Sequence, residues 1–130
     1  MPLFRKKKKP DDEPADPEER SPLTGVKFKD LAVLGQLMKS GADLYQPRDV
    51  LHYLYFPNKK AATTVGNAAR KLGFEAQVNE PLPQYPDNWR LLAQNRSLVL
   101  SLDVVREHGN FFDELAATHG GDYDGWEASV

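Results

Sequence analysis

With 130 residues, 40% hydrophobic and 10% aromatic, the chain can build one small domain and a tail. It has no cysteine, which excludes disulfide staples, thiolate metal sites and thiol nucleophiles, and no run approaches the ~18 apolar residues of a membrane span. The net charge of −2 conceals an asymmetry, since residues 23–106 carry eleven Lys/Arg against seven Asp/Glu, whereas six acids and no Lys or Arg follow Arg106.

Such an acidic end disfavours a nucleic-acid face there and favours a basic protein partner. The basic run Arg5–Lys9 lacks a following apolar stretch, so it is not a secretory signal. With Pro rather than Gly at position 2, N-myristoylation is not expected. The expected location is the cytoplasm.

Residues 1–22 read as a disordered tail of mixed charge. Arg5–Lys9 is followed by Asp11, Asp12 and Glu13, with four prolines from Pro10 to Pro22 and almost nothing apolar to offset the entropy of ordering. Residues 23–130 then form the domain. In the stretch 29–40, Leu31, Leu34, Leu37 and Met38 recur at helical spacing, and Gly41 stops the pattern. Arg48–Phe56 is a strand apolar on both faces, with Val50, His52, Leu54 and Phe56 on one and Leu51, Tyr53 and Tyr55 on the other. Two apolar faces predict a central strand covered on both sides, the second by the helix 29–40.

After Pro57, Asn58 caps a helix over 59–72 whose buried stripe is Ala61, Ala62, Val65, Ala68, Ala69 and Leu72. Gly73 closes it. Residues 74–79 alternate as a strand, Pro81, Pro83 and Pro86 force a loop, and 89–94 resumes a strand. Ser101 opens a helix to about His119, with Val105, His108, Phe112, Leu115 and Ala116 on one face and Gly109 as a local weakness. Gly120 and Gly121 stop it. Asp122–Val130 is the last strand.

The order strand, helix, strand, strand, helix, strand predicts an α+β, ferredoxin-like split βαβ fold (βαββαβ, antiparallel sheet) with an additional N-terminal helix. The last strand then pairs with the first at the sheet edge. Tyr123 and Trp126 are an odd step apart, which points them to opposite faces of the strand, and Gly125 between them permits a bulge or a close backbone approach. Trp126 pins the fold, while Asp122, Asp124 and Tyr123 face outward.

Candidate chemistry is sparse. Asp122-x-Asp124-Gly125 is a fragment of a calcium loop with no room for its closing glutamate, so no metal or cofactor is expected. His52 and His108 lie in apolar surroundings and read as packing histidines, and His119 suits a helix C-terminus. No nucleophile, phosphate loop or paired-carboxylate pattern is visible, so no catalytic residue and no enzyme activity are expected. Tyr53, Tyr55 and Trp89 on neighbouring strands offer a single-stranded RNA-binding module as the alternative. The RNA-recognition consensus is absent, however, and packing under the added helix accounts for these rings.

The run Gly120-Gly121-Asp122-Tyr123-Asp124-Gly125-Trp126-Glu127, after Leu115-Ala116, resembles the C-terminal motif of the regulator of ribonuclease E activity B family. Val50–Pro57 is similar to the first-strand pattern of its actinobacterial-type members, and the likeness covers roughly residues 28–130. Membership implies a ferredoxin-like fold and a non-enzymatic inhibitor that binds ribonuclease E and alters RNA decay. The expected contact surface joins the edge strand 122–129 to the end of the preceding helix: Asp113, Glu114, Asp122, Tyr123, Asp124 and Glu127. Gly120, Gly121, Gly125 and Trp126 are the structural motif. The edge strand is expected to accept a strand from the partner.

Overall fold

The computed structural model describes residues 16–130. Its elements in order are α1 (Phe28–Lys39), β1 (Arg48–Phe56), α2 (Lys59–Lys71), β2 (Glu75–Asn79), β3 (Trp89–Leu98), α3 (Leu102–Thr118) and β4 (Asp122–Ala128). The strands form one antiparallel sheet in the order β2-β3-β1-β4. That inserts β3 between β1 and β2 and leaves β4 outside β1, the split βαβ order expected for a ferredoxin-like α+β fold.

Local chemistry sets the boundaries. Asn58 Oδ1 accepts the Ala61 N–H at 2.8 Å and Ser101 Oγ accepts the Val104 N–H at 3.1 Å, so both expected N-caps satisfy orphan donors. β3 runs four residues beyond the expected Gln94, because Asn95 and Leu98 still pair with Val50 and Arg48 across a bulge. Gly109 is buried in α3, facing Asp30 of α1, whose Oδ2 lies 3.5 Å from where a Cβ would stand, an ordinary contact distance.

The core has two parts on one face of the sheet. Leu54, Phe56 and Leu91 pack with Val65 of α2, with Phe74 just before β2, and with Phe112 of α3. Beside them, Leu34 and Leu37 of α1 meet Val50, Leu100 and Val105, with Trp126 against the cluster. Here the expectation fails: α1 packs on the same side as α2 and α3, and does not cover the second face of β1. The two apolar faces of β1 suggested a sandwiched strand, but Leu51, Tyr53 and Tyr55 are only half-buried while Val50, His52, Leu54 and Phe56 are buried. Among the described residues, no element covers that second face.

The expected tail, residues 1–22, is described only from residue 16 onward. Residues 1–15 lie outside those described, but residues 16–22 are tied to the domain. Arg20 forms a bridge with Lys27, and its Nη2 donates to Asn110 Oδ1 of α3. The Glu18 carboxylate pairs with Lys27 at 2.9 Å and Lys29 at 2.8 Å.

Candidate functional site

The C-terminal strand contains a local irregularity that fixes everything around it. His52 of β1 pairs with Trp126 and Leu54 pairs with Tyr123, so three steps on β4 oppose two on β1. The extra residue is accommodated at Gly125, whose φ is +96°, a conformation open to glycine and strained for residues with a Cβ. The bulge re-phases the strand. Tyr123 and Trp126 therefore face the same helix-covered side, and the expectation of opposite faces is corrected. Tyr123 is an inward residue, not part of an outward surface.

Behind that bulge lies a buried polar cluster. The Tyr123 hydroxyl is 2.7 Å from His52 Nδ1, and Trp126 Nε1–H donates to Asp30 Oδ1 at 2.9 Å. His52 is 3% exposed, with Phe112 at 4.5 Å and Phe74 at 5.5 Å between ring centroids. Burial, and then the nearby His108, bring its pKa down to about 3, so the ring is neutral at pH 7. Desolvation also lowers the pKa of His108 and raises that of Asp30, against the pull of the Trp126 hydrogen bond. The same burial holds the Tyr123 phenol far above its ordinary range, so it keeps its proton and can donate it to Nδ1. His52 Nε2 then has no partner in the described structure. The two hydrogen bonds tie β4 to β1 and to α1, so the cluster acts as a structural clasp among these three elements.

The opposite face of the sheet is where exposed chemistry gathers. Opposed residues share a face, so the register places Tyr55 between Asp122 and Arg90, and Leu51 between Glu127 and Gln94. Tyr53 opposes Leu92, and its hydroxyl donates to Glu127. This bond is the chief reason the Tyr53 pKa is raised. Gln94 Nε2 donates to both oxygens of Asp49 at 2.8 and 3.0 Å. Arg96 and Glu75 form an ion pair at 2.7 Å at the far side. Trp89 is not on this surface, since it opposes Phe56 and packs under the helices.

The expected contact residues therefore do not form one patch. Asp122, Asp124 and Glu127 are exposed on the open side of β4. Glu114 is exposed on α3. Asp113, on the same helix, is engaged by Lys27 at 2.6 Å in the helical layer. Of the structural motif, Gly121 is a close approach: a Cβ there would overlap the Tyr55 carbonyl oxygen and the Phe56 ring. Gly120 sits at positive φ just beyond α3, after the helix-capping His119.

Asp30, and the open placement of Tyr53 and Tyr55, were missed. Asp30 reads in sequence as an acid at a helix start, and only the Trp126 contact 96 positions away reveals its role. Among the described residues, no three His, Asp or Glu side chains gather as a metal group, and no helix is long and apolar enough to cross a membrane.

No curated protein matches the chain. A family model does, described as regulator of ribonuclease activity B and matching residues 29–128, from the first turn of α1 to the end of β4. The match takes in the whole sheet, all three helices and the Gly-Asp-Tyr-Asp-Gly-Trp bulge, and the chain belongs to the regulator of ribonuclease activity B family.

Proposed function

We propose that this chain is a non-enzymatic protein-interaction domain that binds an E/G-type endoribonuclease and restrains its cleavage of RNA, acting in the cytoplasm. Family membership supports regulation of a ribonuclease. The observation that carries the rest is the exposed acid row Asp122, Asp124 and Glu127 on the side of the sheet that no helix among the described residues covers. Ribonucleases present basic surfaces to RNA, and an acidic platform meets such surfaces with favourable long-range steering. The test is to immobilise the full chain, pass the host's E/G-type endoribonuclease over it at low salt, and follow cleavage of a labelled RNA. Binding at micromolar concentration with slowed cleavage supports the reading. Absence of both overturns it.

A second reading rests on Tyr53 and Tyr55, which lie half-buried on the open face at the positions where sheets of this topology stack bases. The neighbouring acids oppose it, because a phosphate backbone would pass Asp122, Asp124 and Glu127. Titrating oligouridine at two salt concentrations decides. Salt-sensitive binding that is lost in Tyr53→Ala favours RNA, and no binding at either salt removes this reading.

A further inference from the structure

The open face has a direction. Its charge changes across the sheet: Asp122, Asp124 and Glu127 lie on β4, the half-buried Leu51, Tyr53 and Tyr55 run down β1, and Arg90 and Arg96 lie on β3. Arg96 is paired with Glu75, so the cationic side is partly neutralised, and the acidic side dominates the rim beside β1. At each end of β1 the surface dips. One recess is lined by Tyr55, Asn88, Asp122 and Asp124, the other by Leu51, Asp49, Glu127 and Gln94 together with Ala128 and Ser129. Each pairs an apolar or aromatic floor with two carboxylates. A tyrosine face flanked by acids suits a guanidinium or ammonium group, which gains from both the ring and the charges.

The two floors, Tyr55 and Leu51, are four residues apart on one strand. At about 3.4 Å per residue that separation is roughly 13–14 Å. An extended peptide has the same rise, so side chains at i and i+4 on its lower face reach both recesses while i+2 lies over Tyr53. A helix would cover only about 6 Å in four residues and could not. Arg90 repels a cationic peptide from the β3 side, and thus keeps its track along β1 and β4.

We propose that this face docks an extended basic segment of a protein partner, with cationic side chains at i and i+4 in the two acid-lined recesses and an apolar side chain at i+2 on Tyr53. This rests on the proposed reading as a protein-interaction domain, and differs from strand addition at the β4 edge in placing the segment on the sheet's flat side. Charge complementarity chooses the occupant. A nucleic acid carries the wrong sign, and a second copy would set the same acids against each other.

The probe is a labelled peptide with the core Arg-Thr-Leu-Thr-Arg, compared with one of equal composition whose two arginines are adjacent, and with oligouridine, each titrated into the full chain. The expected result is binding of the first peptide, roughly tenfold weaker for the adjacent-arginine peptide and for the Asp122→Asn/Asp124→Asn variant, with NMR shifts at Leu51, Tyr53 and Tyr55. Equal binding by the two peptides, shifts confined to the helical layer, preference for oligouridine, or a dimer that excludes the peptide each overturns the proposal. A parallel ribonuclease assay separates the two claims. If the chain slows cleavage but the acid variant slows it equally well, the docking face is wrong and regulation stands. If the peptide binds as expected but cleavage is untouched, the docking face stands and the ribonuclease reading falls.

Discussion

Trp126 donates its indole N–H to Asp30, a carboxyl group only 5% exposed, and the bond is part of what makes that burial tolerable. Trp126→Phe keeps most of the apolar contact but leaves Asp30 Oδ1 without its donor, so it should destabilise the fold by about 1–3 kcal/mol in urea unfolding. His52 makes a second residue-scale prediction. Its pKa falls from 6.5 in the unfolded chain to about 3 in the fold, so between those values the unfolded state binds a proton that the native state does not. Stability is then fully present above pH 6.5 and falls as the pH is lowered, by up to ~1.4 kcal/mol per pH unit. His108 shifts in the same sense; Asp30, whose pKa is raised, works in the opposite sense at the lower end. Denaturant unfolding at pH 7.5 and 5.5 should show the loss, and His52→Phe should show less of it. An unchanged slope in the variant would assign the loss to other groups.

Two glycines govern how β4 joins the rest. Gly121→Ala would drive a methyl group into the Tyr55 carbonyl and the Phe56 ring, and should cost about 1–3 kcal/mol or more through overpacking and backbone displacement. Gly125→Ala instead strains a φ of +96°, with an expected cost of roughly 1–2 kcal/mol, and shifts in the Tyr123 and Trp126 NMR resonances if the bulge relaxes. Most element boundaries were legible in the sequence, because proline, glycine and capping residues act within a few positions of themselves: β1 ends where Pro57 removes a donor, and Asn58 and Ser101 cap as expected. The ferredoxin-like order followed from the succession of elements. What could not be read was which side α1 chooses, since Leu51, Tyr53 and Tyr55 look as apolar in sequence as a buried face. Nor does alternation survive a bulge, so the parity of Tyr123 and Trp126 gave the wrong face for Tyr123. The acids of the candidate site were visible as a cluster, but their division between the open sheet and the helical layer depends on register.

At the scale of the molecule, the fold separates two kinds of surface. Three helices and the buried polar clasp hold one side of the sheet, while the other carries an aromatic and apolar track with acids along β4. That separation allows the exposed acids to be changed without disturbing the core, which makes the central claim accessible to a single comparison. The full chain and its Asp122→Asn/Asp124→Asn variant, shown to have matching unfolding midpoints, are titrated into the host's E/G-type endoribonuclease while binding and cleavage of a labelled RNA are followed together. The prediction is micromolar binding and slowed cleavage for the native chain at low salt, with both effects weakened roughly tenfold in the variant as surface charge is removed. A native chain that neither binds the enzyme nor slows cleavage under those conditions would contradict the account.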